Sequence, residues 1–154
     1  MDVSGHTSAP LAEGFAERLP LLINSVAFEI AARAEPGLNE LGLTGRTYMA
    51  LAVLDGDEPG SQLELAHLLG CVAAVVVQIA DDLEAAGFAE RTRDPADRRR
   101  SRLTITEAGR TALERGDALA REVEEELLAH ASADERARLH AVLRDALRPA
   151  AAPA

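Results

Sequence analysis

Two short segments of alternating side chains near the middle of the chain constrain its fold more than any other feature. They are Phe88–Arg93 and Arg100–Ile105, and the turn between them, Asp94–Asp97, contains a proline in a position that favours a turn. In the second segment Leu103 and Ile105 alternate with polar residues, which is the pattern of a half-buried strand. The sequence therefore predicts a β-hairpin whose tip is rich in arginine.

Helical periodicity and capping residues account for most of the remaining chain. The first helix is expected to begin near Pro20 and to end at the helix-breaking cluster Glu35–Gly37. Ser61 and Ser132 are each followed three residues later by the glutamate of a capping box, and Thr44 and Thr106 can cap two further helices. The predicted helices span, in order, residues 20–35, 44–54, 61–70, 71–86, 106–130 and 132–147.

The composition limits the class of protein. The 154 residues suffice for one domain with a substantial core, and because only 3% are aromatic, aliphatic side chains must form that core. The single cysteine, Cys71, excludes an internal disulfide and suits a reducing compartment. No apolar run is long enough to span a membrane, and residues 1–10 do not resemble a secretory signal. We therefore expect a cytoplasmic protein that does not enter a membrane.

The charges are distributed unevenly. A net charge of −10 by itself argues against binding to nucleic acid, because a phosphate backbone repels acidic surfaces. However, all 16 basic residues are arginines, and none of them lies between Arg46 and Arg91, a segment rich in aspartate and glutamate. The hairpin is thus a basic spot beside an acidic segment, although such charge runs are often only solvated surface. Its arginines are Arg91, Arg93, Arg98, Arg99, Arg100 and Arg102.

The order of the predicted elements indicates the architecture. A short helix pair followed by a two-stranded hairpin is the winged helix-turn-helix arrangement, so we predict a mainly α fold with one small β-hairpin. The first and last helices are too long for that module alone, and their apolar stripes need a partner, which favours a homodimer. The predicted organisation is a disordered tail at 1–10, a single domain at 11–148 and a tail at 149–154, with the winged helix-turn-helix at about 40–105 and dimerisation helices at 11–36 and 106–148.

The hairpin and its flanks resemble those of the multiple antibiotic resistance regulator (MarR) family. That family has an acidic turn, Asp-Arg-Arg, an alternating strand and then Leu-Thr-Glu-x-Gly-Arg, in which Ile105 takes the leucine place here. Leu41–Thr44 resembles the family's lead into its second helix, and Leu83–Arg91 resembles the end of its recognition helix. The resemblance covers roughly residues 20–147. The matching hairpin residues are Asp94, Pro95, Ala96, Asp97, Arg98, Arg99, Arg100, Ser101, Arg102, Leu103, Thr104, Ile105, Thr106, Glu107, Ala108, Gly109 and Arg110.

The resemblance implies a transcriptional regulator that binds double-stranded DNA as a dimer, on a pseudo-palindromic operator. Each fourth helix would enter a major groove and each hairpin the adjacent minor groove. Arg99 would insert into the minor groove, whose negative potential attracts arginine, Asp97 would brace the hairpin and Arg98 would attract phosphate. Arg93 and Arg102 are further candidate DNA contacts. The resemblance also implies a small effector bound between the dimerisation helices and the DNA-binding part.

Three residues near the first two helices are candidates for the effector pocket, namely Phe28, Arg46 and Tyr48. An apolar wall with one cation suits a small aromatic or carboxylate compound. The alternative is that Phe28 and Tyr48 simply belong to the core.

The fourth helix departs from the family pattern. Its expected core face consists of Val72, Val76, Ile79, Ala80 and Leu83. The expected outward residues are Ala74, Val75, Val77, Gln78, Asp81 and Asp82. Of these, only Gln78 can make the two hydrogen bonds that identify adenine, while the aspartates would repel phosphate. Two hypotheses follow: a regulator that binds DNA, or a MarR fold with weakened or lost DNA binding that serves as a small-molecule binder, protein adaptor or enzyme.

No motif in the sequence supports an enzyme, a metal or a cofactor. His67 and Cys71 lie four residues apart, but no set of zinc ligands with suitable spacing accompanies them. Cys71 at a helix start could sense oxidants, yet no second cysteine could resolve an oxidised form, which favours a packing role. Asp81 and Asp82 are adjacent on a helix and so do not face each other as an acid–base pair would.

Overall fold

A computed structural model of the chain describes residue 14 and residues 17–57, 59, 61–93 and 101–148. These residues form six α-helices and one antiparallel two-stranded sheet, which confirms the predicted fold class. The predicted tails at 1–10 and 149–154 and the hairpin tip at 94–100 lie outside the described residues. In chain order the elements are α1 (Leu19–Glu40), α2 (Gly45–Gly56), α3 (Gln62–Leu68), α4 (Ala73–Ala85), β1 (Ala89–Arg93), β2 (Ser101–Ile105), α5 (Glu107–Leu127) and α6 (Ala133–Ala146).

The predicted capping residues begin four of these helices. The side chains of Thr44, Ser61 and Thr106 each accept a hydrogen bond from the backbone amide three residues further on. Ser132 does the same, and the Glu135 carboxylate completes its capping box by accepting from the Ser132 amide at 2.8 Å. These hydrogen bonds hold the pKa of Glu135 below its usual value. Local hydrogen bonding therefore determines where these helices begin.

The main core lies between α2, α3, α4 and the sheet. Leu103 and Ile105 of β2 are buried in it, as their alternation predicts. The strands pair from Ala89 opposite Ile105 to Arg93 opposite Ser101. The core is aliphatic, as the scarcity of aromatic residues requires, and the largest of its fully buried side chains are Leu43, Leu51, Leu65, Leu83 and Val76.

The first helix extends further than the sequence predicts. The expected end at Glu35–Gly37 is wrong, because α1 continues through Pro36 to Glu40. A proline inside a helix removes a backbone hydrogen bond, so packing must compensate for the loss. A Cβ atom at Gly37 would lie 2.6 Å from Leu119 Cδ2, which shows how closely α1 and α5 cross at this point. Gly37 therefore permits the close packing of two helices and does not mark a helix end.

Side-chain contacts tie α2 to the long helix α5. The Tyr48 hydroxyl donates a hydrogen bond to Asp117 Oδ1 at 2.7 Å, and burial together with this bond raises the pKa of Tyr48 to about 12. Gly116 lets the ring approach, since a Cβ there would lie 2.9 Å from Tyr48 Cδ2. Nearby, Arg110 Nε donates to Asp55 Oδ1 at 3.2 Å. α2 and α5 are therefore joined by two side-chain hydrogen bonds and by close packing at Gly116.

Within the described part of the chain, no single helix is long and apolar enough to cross a membrane. Taken together, α3 and α4 are long and apolar enough for a membrane span, but the chain bends by 106° between them. Both helices contribute buried side chains to the core described above, including Leu65 and Val76.

Candidate nucleic-acid interface

Helices α3 and α4 form a helix-turn-helix. The bend of 106° between them lies in the range of that motif. Gly70 in the turn has a φ of +62°, which glycine adopts without a steric penalty. The Cys71 amide donates to the Ala66 carbonyl at 3.0 Å and closes the turn, after which Val72 precedes α4 without a side-chain cap. These contacts fix the direction in which α4 leaves the turn.

One face of α4 packs into the core, and the opposite face is exposed. Four of the five predicted core residues are buried, namely Val76, Ile79, Ala80 and Leu83. The fifth, Val72, is 68% exposed, so its assignment to the core was wrong. It precedes the helix with an extended backbone (φ −79°, ψ 150°), and helical spacing therefore does not apply to it. Of the predicted outward residues, Val75 is half-buried and the rest are exposed: Ala74, Val77, Gln78, Asp81 and Asp82.

The acidic side chains of α4 form salt bridges and hydrogen bonds with neighbouring residues. Arg91 of β1 places one guanidinium nitrogen 2.6 Å from Asp81 Oδ1 and the other 2.6 Å from Glu84 Oε2. The second oxygen of Glu84 accepts from the Arg91 amide at 3.1 Å. Asp82 accepts from Gln78 Nε2 at 2.8 Å. The negative charge of this helix is thus partly neutralised, and Arg91 joins α4 to the hairpin.

The structure places only part of the predicted hairpin site. Arg102 lies in β2 opposite Thr92, and the backbone of Arg93 lies in β1 opposite Ser101. Asp97, Arg98 and Arg99 lie outside the described residues, as does the side chain of Arg93. The strands that flank these residues begin directly after α4, because Gly87 ends that helix and the Phe88 amide bonds to the Leu83 carbonyl at 2.9 Å. The described strand ends, with Arg91 and Arg102, therefore follow α4 directly.

A cleft of about 750 Å³ lies between the start of α2 and the outer side of α4. Arg46 and Met49 line it from α2, while Val75, Gln78 and Ile79 are among the α4 residues that line it. The Arg46 guanidinium is exposed, and no residue in the described part of the chain pairs with it. The cleft thus combines an apolar wall with one cation and two carboxylates, those of Glu35 and Asp82.

The three candidate effector residues do not share a cavity within one chain. Arg46 lines the cleft, but Tyr48 is half-buried against α5 and Phe28 is exposed on α1. Elsewhere the described residues contain no cluster of three or more histidine, cysteine, aspartate or glutamate side chains that could hold a metal ion. Cys71 is a half-buried free thiol.

The helix pair, the hairpin that follows it and the long helices on either side define a winged helix-turn-helix protein. The family model of the MarR family matches residues 41–100. A probable transcriptional regulator from Pseudomonas aeruginosa is 30% identical, with a TM-score of 0.72, over 86% of this chain and 98% of that one. The chain therefore belongs to the MarR family, which confirms the resemblance of its hairpin.

Two other solved structures share the fold. A mutant MarR from E. coli, complexed with operator DNA, is 25% identical over 89% of this chain and 100% of its own, with a TM-score of 0.71. CouR from Rhodococcus jostii, bound to p-coumaroyl-CoA, is 21% identical over 92% of this chain and 100% of its own, with a TM-score of 0.74. A search of curated proteins gave no match.

The sequence analysis did not predict two contacts of this site. Arg91 was grouped with the hairpin arginines, but its partners are seven and ten residues earlier on another element. Asp82 was interpreted only as a repulsive charge, although its spacing of four from Gln78 is the one local signal that predicts their hydrogen bond.

Proposed function

We propose that the protein is a DNA-binding transcriptional regulator of the cytoplasm, which acts as a homodimer on a pseudo-palindromic operator and responds to a small ligand. The observation that carries the proposal is the exposed face of α4 in a helix-turn-helix, directly followed by a hairpin with six arginines between residues 91 and 102. The MarR from E. coli, solved with operator DNA, has the same fold and supports this assignment.

The two parts suit the two grooves of DNA. The major groove admits an α-helix, whose N-terminal residues contact base edges, and in α4 these are Ala73, Ala74, Val77 and Gln78. The hairpin would then reach the adjacent minor groove, into which Arg99 inserts while Arg98 attracts phosphate and Asp97 braces the turn. Arg93 and Arg102 are proposed as further contacts.

The acidity of α4 obstructs this arrangement less than the sequence alone implies. Arg91 sets one positive charge against the two carboxylates of Asp81 and Glu84 through contacts of 2.6 Å to each. Asp82 accepts a hydrogen bond from the side-chain amide of Gln78, and this bond holds the Gln78 side chain on the exposed face. The outward face of α4 is therefore apolar near its start and keeps a reduced negative charge near its end, and the hairpin arginines supply the attraction to phosphate.

A second copy of the chain explains the exposed apolar residues of the terminal helices. No residue of α6 is buried within one chain. Apolar stripes of this kind normally face a partner, and a two-fold dimer relates two identical reading heads. Such a dimer calls for a pseudo-palindromic operator. The exposed apolar residues include Ile23, Val26 and Phe28 on α1 and Leu139, Val142 and Leu143 on α6.

The cleft beside α4 is the proposed effector site. Arg46 offers an unpaired cation, and Met49 and Val75 offer an apolar wall, which together suit a small aromatic or other carboxylate compound whose carboxylate lies at Arg46, away from Glu35 and Asp82. A ligand there contacts the helix that reads DNA, and a ligand that shifts this helix would change the affinity for DNA. CouR, bound to p-coumaroyl-CoA, shows that a protein of this fold can bind a small molecule. Phe28 and Tyr48 are kept as second candidates, for a pocket completed by the partner subunit.

One observation favours a second candidate function. The valine side chains on the outer side of the helix-turn-helix, Val72 and Val77, are 68% and 46% exposed, and an exposed apolar patch can bind a protein. On this alternative the fold serves as an adaptor, and no DNA is bound.

The hairpin, which is the wing of the winged helix-turn-helix, provides a direct test of the proposal. Fluorescence anisotropy with a duplex selected from a random pool should show much weaker binding for Arg99→Ala than for the parent protein. Arg115→Ala removes the same charge from an exposed position on α5 and serves as the matched control. Equal loss in both variants would mean that only the overall charge matters, and it would argue against a wing in the minor groove.

A further inference from the structure

The part of α4 that faces outward in its first two turns carries mainly methyl groups. Val77 is 46% exposed, and Ala73 and Ala74 are exposed beside it. These are the positions from which a recognition helix contacts base edges. A base can therefore meet this helix chiefly through an apolar surface.

The polar chemistry available on this face is narrow. Gln78 is the polar side chain among these positions, and its amide nitrogen donates to Asp82 Oδ1 at 2.8 Å. The bond holds the amide in one orientation and leaves the carbonyl oxygen and one N–H for a base. Adenine takes both groups, because it presents a donor and an acceptor side by side in the major groove.

Guanine has no corresponding partner on this helix. Its major-groove edge offers two acceptors, which arginine or lysine normally recognise, and no basic residue other than histidine lies between Arg46 and Arg91. Thymine, in contrast, offers the C5 methyl, the apolar group that the major groove contains. Because thymine pairs with adenine, one A·T pair offers a methyl group to a valine and a donor and acceptor to a glutamine.

We infer that α4 recognises A·T pairs by apolar contact between Val77 and the C5 methyl of thymine, with Gln78, oriented by Asp82, facing adenine. The inference rests on the proposed DNA-binding function and names the bases that the operator must carry. DNA is favoured over a protein as the occupant of this face because the arginines that follow at 91–102 complement a polyanion, and Arg91 offsets part of the charge of Asp81 and Glu84.

The test removes single methyl groups from the DNA. A duplex is selected from a random pool with the full-length protein, and each thymine is then replaced in turn by uracil, which pairs identically but lacks the methyl. Loss of one buried methyl should raise the dissociation constant about fourfold, and loss from both half-sites about fifteenfold. Replacement of a thymine outside the segment that the protein contacts should leave the dissociation constant unchanged.

The protein side of the contact completes a double-mutant cycle. Val77→Ala should weaken binding to the thymine duplex and abolish the difference between thymine and uracil. Leu63→Ala shortens an exposed aliphatic side chain on α3, outside the proposed contacts to bases and to the second subunit, and it should leave that difference intact. Equal affinity for thymine and uracil duplexes at every position would overturn the inference while leaving DNA binding established. Failure to bind any duplex would refute the proposed function and the inference with it, and would leave the apolar face to a protein partner.

Discussion

Replacement of Gly109 by alanine should destabilise the protein strongly, even though alanine favours helices. Gly109 lies in the first turn of α5, where a Cβ atom would overlap the Phe88 carbonyl oxygen and lie 2.9 Å from Ile105 Cγ1. That carbonyl accepts the Thr106 amide at 3.0 Å, and the Thr106 hydroxyl donates to the Gly87 carbonyl at 2.8 Å. The backbone cannot yield to the new methyl without breaking the junction between α4, the hairpin and α5.

The magnitude follows from two opposing effects. Alanine gains about 1 kcal/mol of helix propensity over glycine, whereas overpacking costs roughly 1–3 kcal/mol and each disrupted hydrogen bond about 1 kcal/mol more. We expect a net loss of about 2 kcal/mol, or a fall in Tm of roughly 4–8 °C for a chain of this size. The Tm is measured by circular dichroism at a fixed protomer concentration, because dimerisation makes it depend on concentration.

Gly56→Ala is the matched control for this experiment. Gly56 ends α2, and no atom lies within 4 Å of a Cβ built there. Its replacement should leave the Tm unchanged or raise it slightly, since alanine restricts the unfolded chain. If Gly109→Ala proves as stable as the parent or as Gly56→Ala, the close junction at Phe88 is wrong.

Two further changes test contacts that hold the site together. Tyr48→Phe should cost about 1–2 kcal/mol in urea unfolding at neutral pH, because the hydrogen bond to Asp117 is lost. Folding raises the pKa of Tyr48 to about 12, so the stability that this pKa shift contributes is complete below pH 10 and is lost as the pH rises to 12. The unfolding free energies of the two proteins should therefore converge over that range. A difference that stays constant with pH would contradict this. Arg91→Ala should cost about 1 kcal/mol because Asp81 and Glu84 lose their shared partner, and Arg91→Lys should restore little, since lysine cannot bridge both. Thermal unfolding of both Arg91 variants measures this, and full stability of Arg91→Ala would show that the bridge contributes nothing.

Local signals in the sequence predicted most of the fold. Alternation of Leu103 and Ile105 with polar residues predicted β2, and the capping residues Thr44 and Ser132 predicted where α2 and α6 begin. These signals succeed because strand alternation and helix capping depend on neighbouring residues only. The hairpin signature also placed the chain in the MarR family, as the comparisons confirm.

The failures arose where distant elements decide the outcome. Pro36 normally ends a helix, but α1 continues through it to Glu40 and packs closely against Leu119 of α5 at Gly37. Val72 failed for a local reason instead, because helical spacing assigned it to the core although its backbone before α4 is extended and leaves it exposed. Periodicity along one element cannot reveal a partner on another, and the link from Arg91 to two carboxylates of α4 is of the same kind.

The candidate effector residues illustrate a related limit. Arg46 lines a cleft against α4, whereas Tyr48, only two residues away, turns towards Asp117 on α5. Residues two apart on a helix point in different directions, so closeness in sequence could not place both in one pocket. The lining of the cleft by Val75 and Ile79 depends on how α2 and α4 pack, which only the fold supplies.

The most direct test of the central claim is a titration of labelled DNA from upstream of the protein's own gene, followed by fluorescence anisotropy at several salt concentrations beside a scrambled duplex. The account predicts binding at least about 10³-fold tighter to the native duplex, with an affinity that falls steeply as salt rises because the arginines displace counterions from phosphate. Absence of binding to either duplex at low salt would contradict the account and assign this MarR-family fold to a role without DNA.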